Sequence, residues 1–223
     1  MTIDHLVVMA ASLEQGVAWC EATLGVTPGP GGEHLLMGTH NRLLTIATPD
    51  FPQAYLEIIA ITSGAAQAAP TRTKRWFDMD EPALRERVQQ GGPQLIHWVA
   101  AVGDIAASVT ALAAQDIDRG EVLQASRQTP TDLLRWQISV RPDGQRLFDG
   151  CLPTLIQWGD THPTQAMVRS GVTLQNLSLR HPQADTLRQA LASIGLPTIA
   201  VTDGPAQLSA TLQTPKSLIE IHT

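Results

Sequence analysis

Cysteine is scarce in this chain: Cys20 and Cys151 are far apart, follow no C-x-x-C spacing and fall in helix and strand contexts. That pattern is not a disulfide framework, and both are read as reduced packing residues of a cytoplasmic protein. Basic runs are equally sparse. The net charge is -6, the pI is near 5.6, and Lys and Arg are scattered apart from Arg72, Lys74 and Arg75, so a phosphate backbone is not expected as a partner. Those three are expected to be solvated, a small anionic substrate group being their other use. Long apolar runs are missing too. L-V-V-M-A-A and L-E-I-I-A-I fall far short of the roughly 20 residues a bilayer crossing needs. The first residues enter a strand directly, without a basic segment, apolar stretch and small-residue cleavage site, so neither a secretory leader nor a membrane association is expected. With 43% hydrophobic and 16% charged residues among 223, the chain can bury a substantial core and is too apolar for general disorder.

What is present is one pattern written three times: an apolar strand, an amphipathic helix, then further strands. The copies open I-D-H-L-V-V-M, L-I-H-W-V-A-A and L-Q-N-L-S-L-R, which aligns His5, His97 and Asn176. They close A-Y-L-E-I-I-A-I, L-P-T-L-I-Q-W and K-S-L-I-E-I-H-T, and we set Glu57, Gln157 and Glu220 at equivalent points. Ligands on repeated units can converge by pseudo-symmetry.

In the first copy, Ile3 to Ala10 is apolar except for Asp4 and His5, as in a strand buried on both faces. Ser12 is the expected N-cap of a helix ended by Gly25. The turn-rich V-T-P-G-P-G-G-E-H leads into short strands, giving βαβββ over 1–61. A linker with a short helix is expected over 62–93, a second βαβββ unit over 94–160, and a third, shorter unit over 170–223. Several strands follow each helix, which excludes a doubly wound sheet. The expected fold is α+β: repeated βαβββ units forming a curled mixed sheet with a central cleft and helices outside.

The first two units resemble the vicinal oxygen chelate superfamily of glyoxalase I, extradiol dioxygenases and bleomycin-resistance proteins. G-G-E-H-L-L-M-G-T-H-N, Y-L-E-I-I, R-W-F, L-P-T-L-I-Q-W-G and the His162-Pro163 pair are similar to its glyoxalase-like branch. The resemblance implies four ligands at equivalent strand positions around one divalent metal (Zn, Ni, Co, Fe or Mn): here His5, Glu57, His97 and Gln157. Gln157 departs from the usual carboxylate and cannot act as a base, so Glu57 or a metal-bound hydroxide would take the proton. A carboxylate buried without a partner costs several kcal/mol, and a cation would satisfy it.

The resemblance also places His34 and Asn41 in the pocket, with turn chemistry as the other reading. Arg127 and Trp136 belong to S-R-Q-T-P-T-D-L-L-R-W, which could line the same cleft, the Arg gripping a carboxylate. Each candidate has a plainer alternative: hydrogen-bonded core histidines, an edge-strand amide for Gln157, a solvated Arg127, a core Trp136. Asn176 and Glu220 are assigned to packing, and Trp98 and Trp158 to the core face opposite their neighbours.

Two function classes follow. One is a metal-dependent lyase or isomerase acting on a small molecule with vicinal oxygens, an Fe(II) extradiol-type dioxygenase being its variant. The other is a metal-free module that binds or sequesters a small molecule. A monomer or a homodimer would serve either.

Overall fold

The computed structural model describes residues 1–62, 74–129 and 133–223, so the first part of the expected linker, 63–73 with Arg72, lies outside the described residues. The first copy forms β1 (Thr2–Met9), α1 (Leu13–Leu24), β2 (Glu33–His34), β3 (Thr39–Thr45) and β4 (Tyr55–Ile61). After α2 (Pro82–Gly91) come β5 (Gln94–Ala101), α3 (Ile105–Ala113), β6 (Glu121–Gln128), β7 (Leu133–Val140) and β8 (Thr154–Trp158). The last segment supplies β9 (Thr173–Arg180), α4 (Ala184–Ser193), β10 (Ala200–Thr202), β11 (Gln207–Gln213) and β12 (Leu218–His222).

Local chemistry sets these boundaries. Ser12 caps α1 by accepting from the Gln15 N–H, and Gly25 ends it in the left-handed conformation at φ 76°. Asp104 caps α3 through the Ala107 N–H.

The first two copies share an eight-stranded mixed sheet in the order β2-β3-β4-β1-β5-β8-β7-β6, curled into a half-barrel. The halves join where β1 and β5 run antiparallel, with His5 opposite Val99 and His97 opposite Val7. One face carries the main core, where Leu6, Val8, Leu56, Trp98 and Leu155 meet α1, α3 and α4. Burying each such side chain contributes about 1.5–3 kcal/mol. The concave face carries a smaller cluster that includes Val7, Met9, Ile59, Val99 and Ile156.

The third segment makes a separate four-stranded sheet, β10-β9-β11-β12. Its closing strand β12 pairs with β11 and not with the leading strand β9, unlike β4 on β1. Leu174, Leu177, Leu208 and Leu212 join the main core on the convex side. The opposite face is open to solvent, and Asn176 and Glu220 are exposed there, so the packing role expected for them is corrected. No helix among the described residues is long and apolar enough to cross a membrane.

Candidate functional site

The site begins with a β-bulge. In β1, Ile3 pairs with Ala100 and His5 with Val99, leaving Asp4 as the extra residue. A bulge breaks the alternation of side chains, so Ile3 and Leu6 both enter the main core while Asp4 and His5 both reach cleft partners. The same irregularity recurs at Ile96 in β5 and at Gln175 in β9, immediately before His97 and Asn176.

Asp4 is fully buried and holds the site together. It lies 2.6 Å from His5 Nδ1, accepts from the Trp158 indole N–H at 2.7 Å, and meets His162 Nε2 at 3.1 Å. Burial alone would raise its pKa, but the hydrogen bonds from His162 and His5 outweigh it and hold the carboxyl down at about 2. With Asp4 taking the Nδ1 hydrogen, His5 is oriented so that Nε2 faces Glu57 Oε2 at 3.6 Å. Tyr55 stacks on the imidazole with centroids 4.6 Å apart.

Glu57 is 4% exposed. Its Oε1 accepts from Asn41 Nδ2 at 2.6 Å, whereas Oε2 accepts no hydrogen bond among the described residues, and the residue lines a small inner chamber. Asn41 is fixed in turn, since its Oδ1 accepts from the Gly32 N–H at 2.8 Å and its second Nδ2 hydrogen points at His34 Nε2, 3.3 Å away. The glycines allow this approach: a Cβ on Gly31 would lie 2.1 Å from the Asn41 carbonyl oxygen. His34 Nδ1 reaches Thr39 Oγ1 at 3.0 Å. Burial, chiefly, pulls the His34 pKa to about 4, so the ring is neutral near pH 7.

The inner chamber, about 40 Å³, is walled by Leu43, Leu134, Trp136, Ile138 and Trp158. It adjoins an outer vestibule of about 810 Å³, with which it shares Leu43, Arg127, Leu134 and Pro163. Arg127 crosses from β6 to the glycine loop, its Nη1 only 2.2 Å from where a Gly32 Cβ would stand. Among the described residues no Asp or Glu lines the vestibule, where Arg127 and Arg169 supply positive charge.

The structure thus gathers His5, Glu57, His34, Asn41, Arg127 and Trp136 around one chamber. It does not bring His97 and Gln157 to them. His97 Nδ1–H donates to the Gly150 carbonyl at 3.1 Å, while Nε2 accepts from the Thr154 N–H at 3.1 Å and meets the Thr154 hydroxyl at 3.0 Å. Burial, then the positive charges of Arg119 and Arg146, push its pKa well below the ordinary histidine value. Phe77 sits 5.0 Å from the His97 ring and stacks on Trp76, so this aromatic pair fills the second half of the cleft.

Gln157 is corrected in both position and face. The strand pairing sets Glu57 beside Val7 and Thr154 beside Val99, which makes Thr154 the equivalent of Glu57. Gln157 lies three residues on and accepts from the Ile105 N–H at 2.9 Å, satisfying an orphan donor at the start of α3. Trp158, expected on the far face, instead lines the chamber. Among the described residues no three His, Cys, Asp or Glu side chains are disposed to hold a metal ion, and the expected four-ligand set does not fit one.

Asp4 and His162 are site residues that the motif reading missed. The signal for Asp4 was its place beside His5 in an otherwise apolar strand.

Comparison with known proteins bears on the fold. A family described as glyoxalase-like domain matches residues 3–195. A hypothetical protein from Staphylococcus aureus is similar in structure with a TM-score of 0.58 at 15% identity, over 99% of this chain and 84% of that one. Methylmalonyl-CoA epimerase from Mycobacterium tuberculosis aligns with a TM-score of 0.41 at 15% identity, over 74% of this chain and 92% of that one. A Streptomyces coelicolor methylmalonyl-CoA epimerase, in complex with 2-nitronate-propionyl-CoA, gives 0.40 at 17% identity, over 71% and 93%. The comparison with curated proteins gives no match.

Proposed function

The chain belongs to the glyoxalase-like domain family, and within it we propose a lyase or isomerase that moves a proton on a small anionic molecule, with Glu57 as the base. The observation that supports this reading is the asymmetry of the Glu57 carboxylate. One oxygen is fixed by Asn41 while the other lies 3.6 Å from His5 Nε2, in a residue that lines the chamber. A carbon acid held there gives its proton to Oε2. His5 then accepts it at Nε2, and Asp4 stabilises the resulting imidazolium through the Nδ1 hydrogen bond, so the proton can return at a second position. Arg127 pairs with a carboxylate or similar anionic group at the chamber mouth, and the aromatic walls exclude water from the reacting carbon.

A divalent ion on this half of the cleft would have to use His5, His34 and Glu57. Glu57 Oε1 and His34 Nε2 already face the Asn41 amide, so the proton path is derived from the side chains alone. Two buried free thiols support a cytoplasmic setting.

A second reading, sequestration without turnover, draws support from the apolar and aromatic lining of the chamber. One experiment separates the two: NMR of a panel of carboxylates bearing a C–H next to a carbonyl, incubated with the protein in D2O. Solvent deuterium enters the substrate with the parent protein, and Glu57→Gln slows this by about 10²–10⁴-fold while binding persists. Binding without exchange in the parent would establish sequestration instead. Exchange that survives Glu57→Gln would remove Glu57 as the base.

A further inference from the structure

The half of the cleft in which Thr154 takes the place of Glu57 contains a buried positive charge. Arg119, in the loop between α3 and β6, is 2% exposed. Its Nε donates to the Pro153 carbonyl at 2.7 Å and its Nη2 to the Thr154 hydroxyl. Among the described residues no carboxylate pairs with it: its neighbour Asp118 lies against Arg141, 3.4 Å from Nη1 of that residue. Burial, then the charge of Arg141, bring its pKa down to about 9, which still leaves it protonated near pH 7. A guanidinium removed from water without a counter-charge costs several kcal/mol, more than two hydrogen bonds to neutral oxygens return.

Arg119 lines a recess of about 10 Å³, room for the centre of a single small particle. Trp76 and Ser139 line the same recess. The Trp76 indole N–H is buried and meets no acceptor among the described residues. Ser139 Oγ accepts from the Leu155 N–H at 3.1 Å, which leaves its own hydrogen to donate. Arg141 is also in the wall, and among the described residues no Asp or Glu contributes to it. Arg119, Trp76 and Ser139 thus all have donors to spare, and Gln145 at the rim adds an amide with both a donor and an acceptor.

We propose that this recess is an anion site sized for one halide ion, held by the Arg119 guanidinium, the Trp76 indole N–H and the Ser139 hydroxyl. The ion supplies the counter-charge that Thr154 cannot. It also fixes Trp76, and with it the aromatic pair that fills the second half of the cleft. The recess shares the Trp76 and Phe77 wall with the Glu57 chamber but not its polar groups, and the proposal does not depend on the proton-transfer reading.

The test is thermal unfolding of the full chain in sodium chloride against sodium gluconate at equal ionic strength, with sodium bromide as a second halide. The parent melts roughly 2–4 °C higher in the halides at concentrations well above the dissociation constant. Trp76→Phe, which deletes the donor but keeps an aromatic ring, and Arg119→Met both lose most of that difference. Should Arg119→Met fail to fold, Trp76→Phe decides. Equal melting of the parent in all three salts, or a halide response that survives Trp76→Phe unchanged, would overturn the site and leave a water as its occupant.

Discussion

Thr154 stands in β8 where Glu57 stands in β4, each beside the histidine of its own half. The gap is 3.0 Å from Thr154 Oγ1 to His97 Nε2 and 3.6 Å from Glu57 Oε2 to His5 Nε2. The closer pair is neutral and closed: His97 spends both ring nitrogens on the backbone and on Thr154. The wider pair is acidic and borders a chamber. The two halves of one pseudo-symmetric sheet thus differ: the first leaves a carboxylate oxygen without a hydrogen bond among the described residues, and the second closes its histidine on Thr154 and the backbone.

Asp4 should govern the acid limb of stability. Its pKa falls from 3.8 to about 2 on folding, so the unfolded chain binds more protons between those values. The stabilisation is complete above about pH 4 and is lost as pH falls through 2, an effect on the order of 2 kcal/mol. Urea unfolding of Asp4→Asn should show lower stability than the parent at pH 7 and a flatter profile between pH 4 and 2. A variant curve parallel to the parent's would disprove the assignment.

His34 gives a signature at higher pH. Its pKa drops from 6.5 to about 4, so below pH 6.5 the unfolded chain takes a proton that the folded chain refuses. Stability therefore declines as pH falls from 6.5 towards 4, with His97 acting in the same direction. Nitrogen-15 NMR should show His34 as a neutral ring protonated at Nδ1 down to nearly pH 4. A midpoint near 6.5 would contradict the packing described.

The glycine loop should tolerate its two substitutions unequally. At Gly31 a Cβ meets the Asn41 backbone at 2.1 Å, whereas at Gly32 it meets the Arg127 side chain, which can swing away. Gly31→Ala should cost roughly 1–3 kcal/mol in chemical denaturation. Gly32→Ala should cost less, yet weaken binding of anionic ligands by displacing the guanidinium. Equal destabilisation by both would count against this account.

Gln157 should behave as a helix cap. Gln157→Ala removes the acceptor for the Ile105 N–H and should lower stability by about 1 kcal/mol, with ligand binding and metal content unchanged. A loss of bound metal in this variant would restore Gln157 to a ligand role.

The α+β fold was legible because apolar strands, capped helices and glycine stops are local signals, repeated in copies that reinforce one another. His5 and Glu57 were legible for the same reason: a histidine and a carboxylate in buried strands must find partners, and their spacing repeats. What stayed hidden depends on register. A single extra residue at Asp4 turns that side chain onto the cleft beside His5, and no alternation rule announces it. Three residues separate Thr154 from Gln157, enough to move a side chain to the other face of the sheet. The third copy matches the others in its opening strand, yet strand pairing alone sends it to the convex side to cover the core. Sequence by itself determined which chemical groups the protein would bury. Only the tertiary structure decided which of them meet, because each strand's pairing partner and bulge position are set by contacts across the whole sheet.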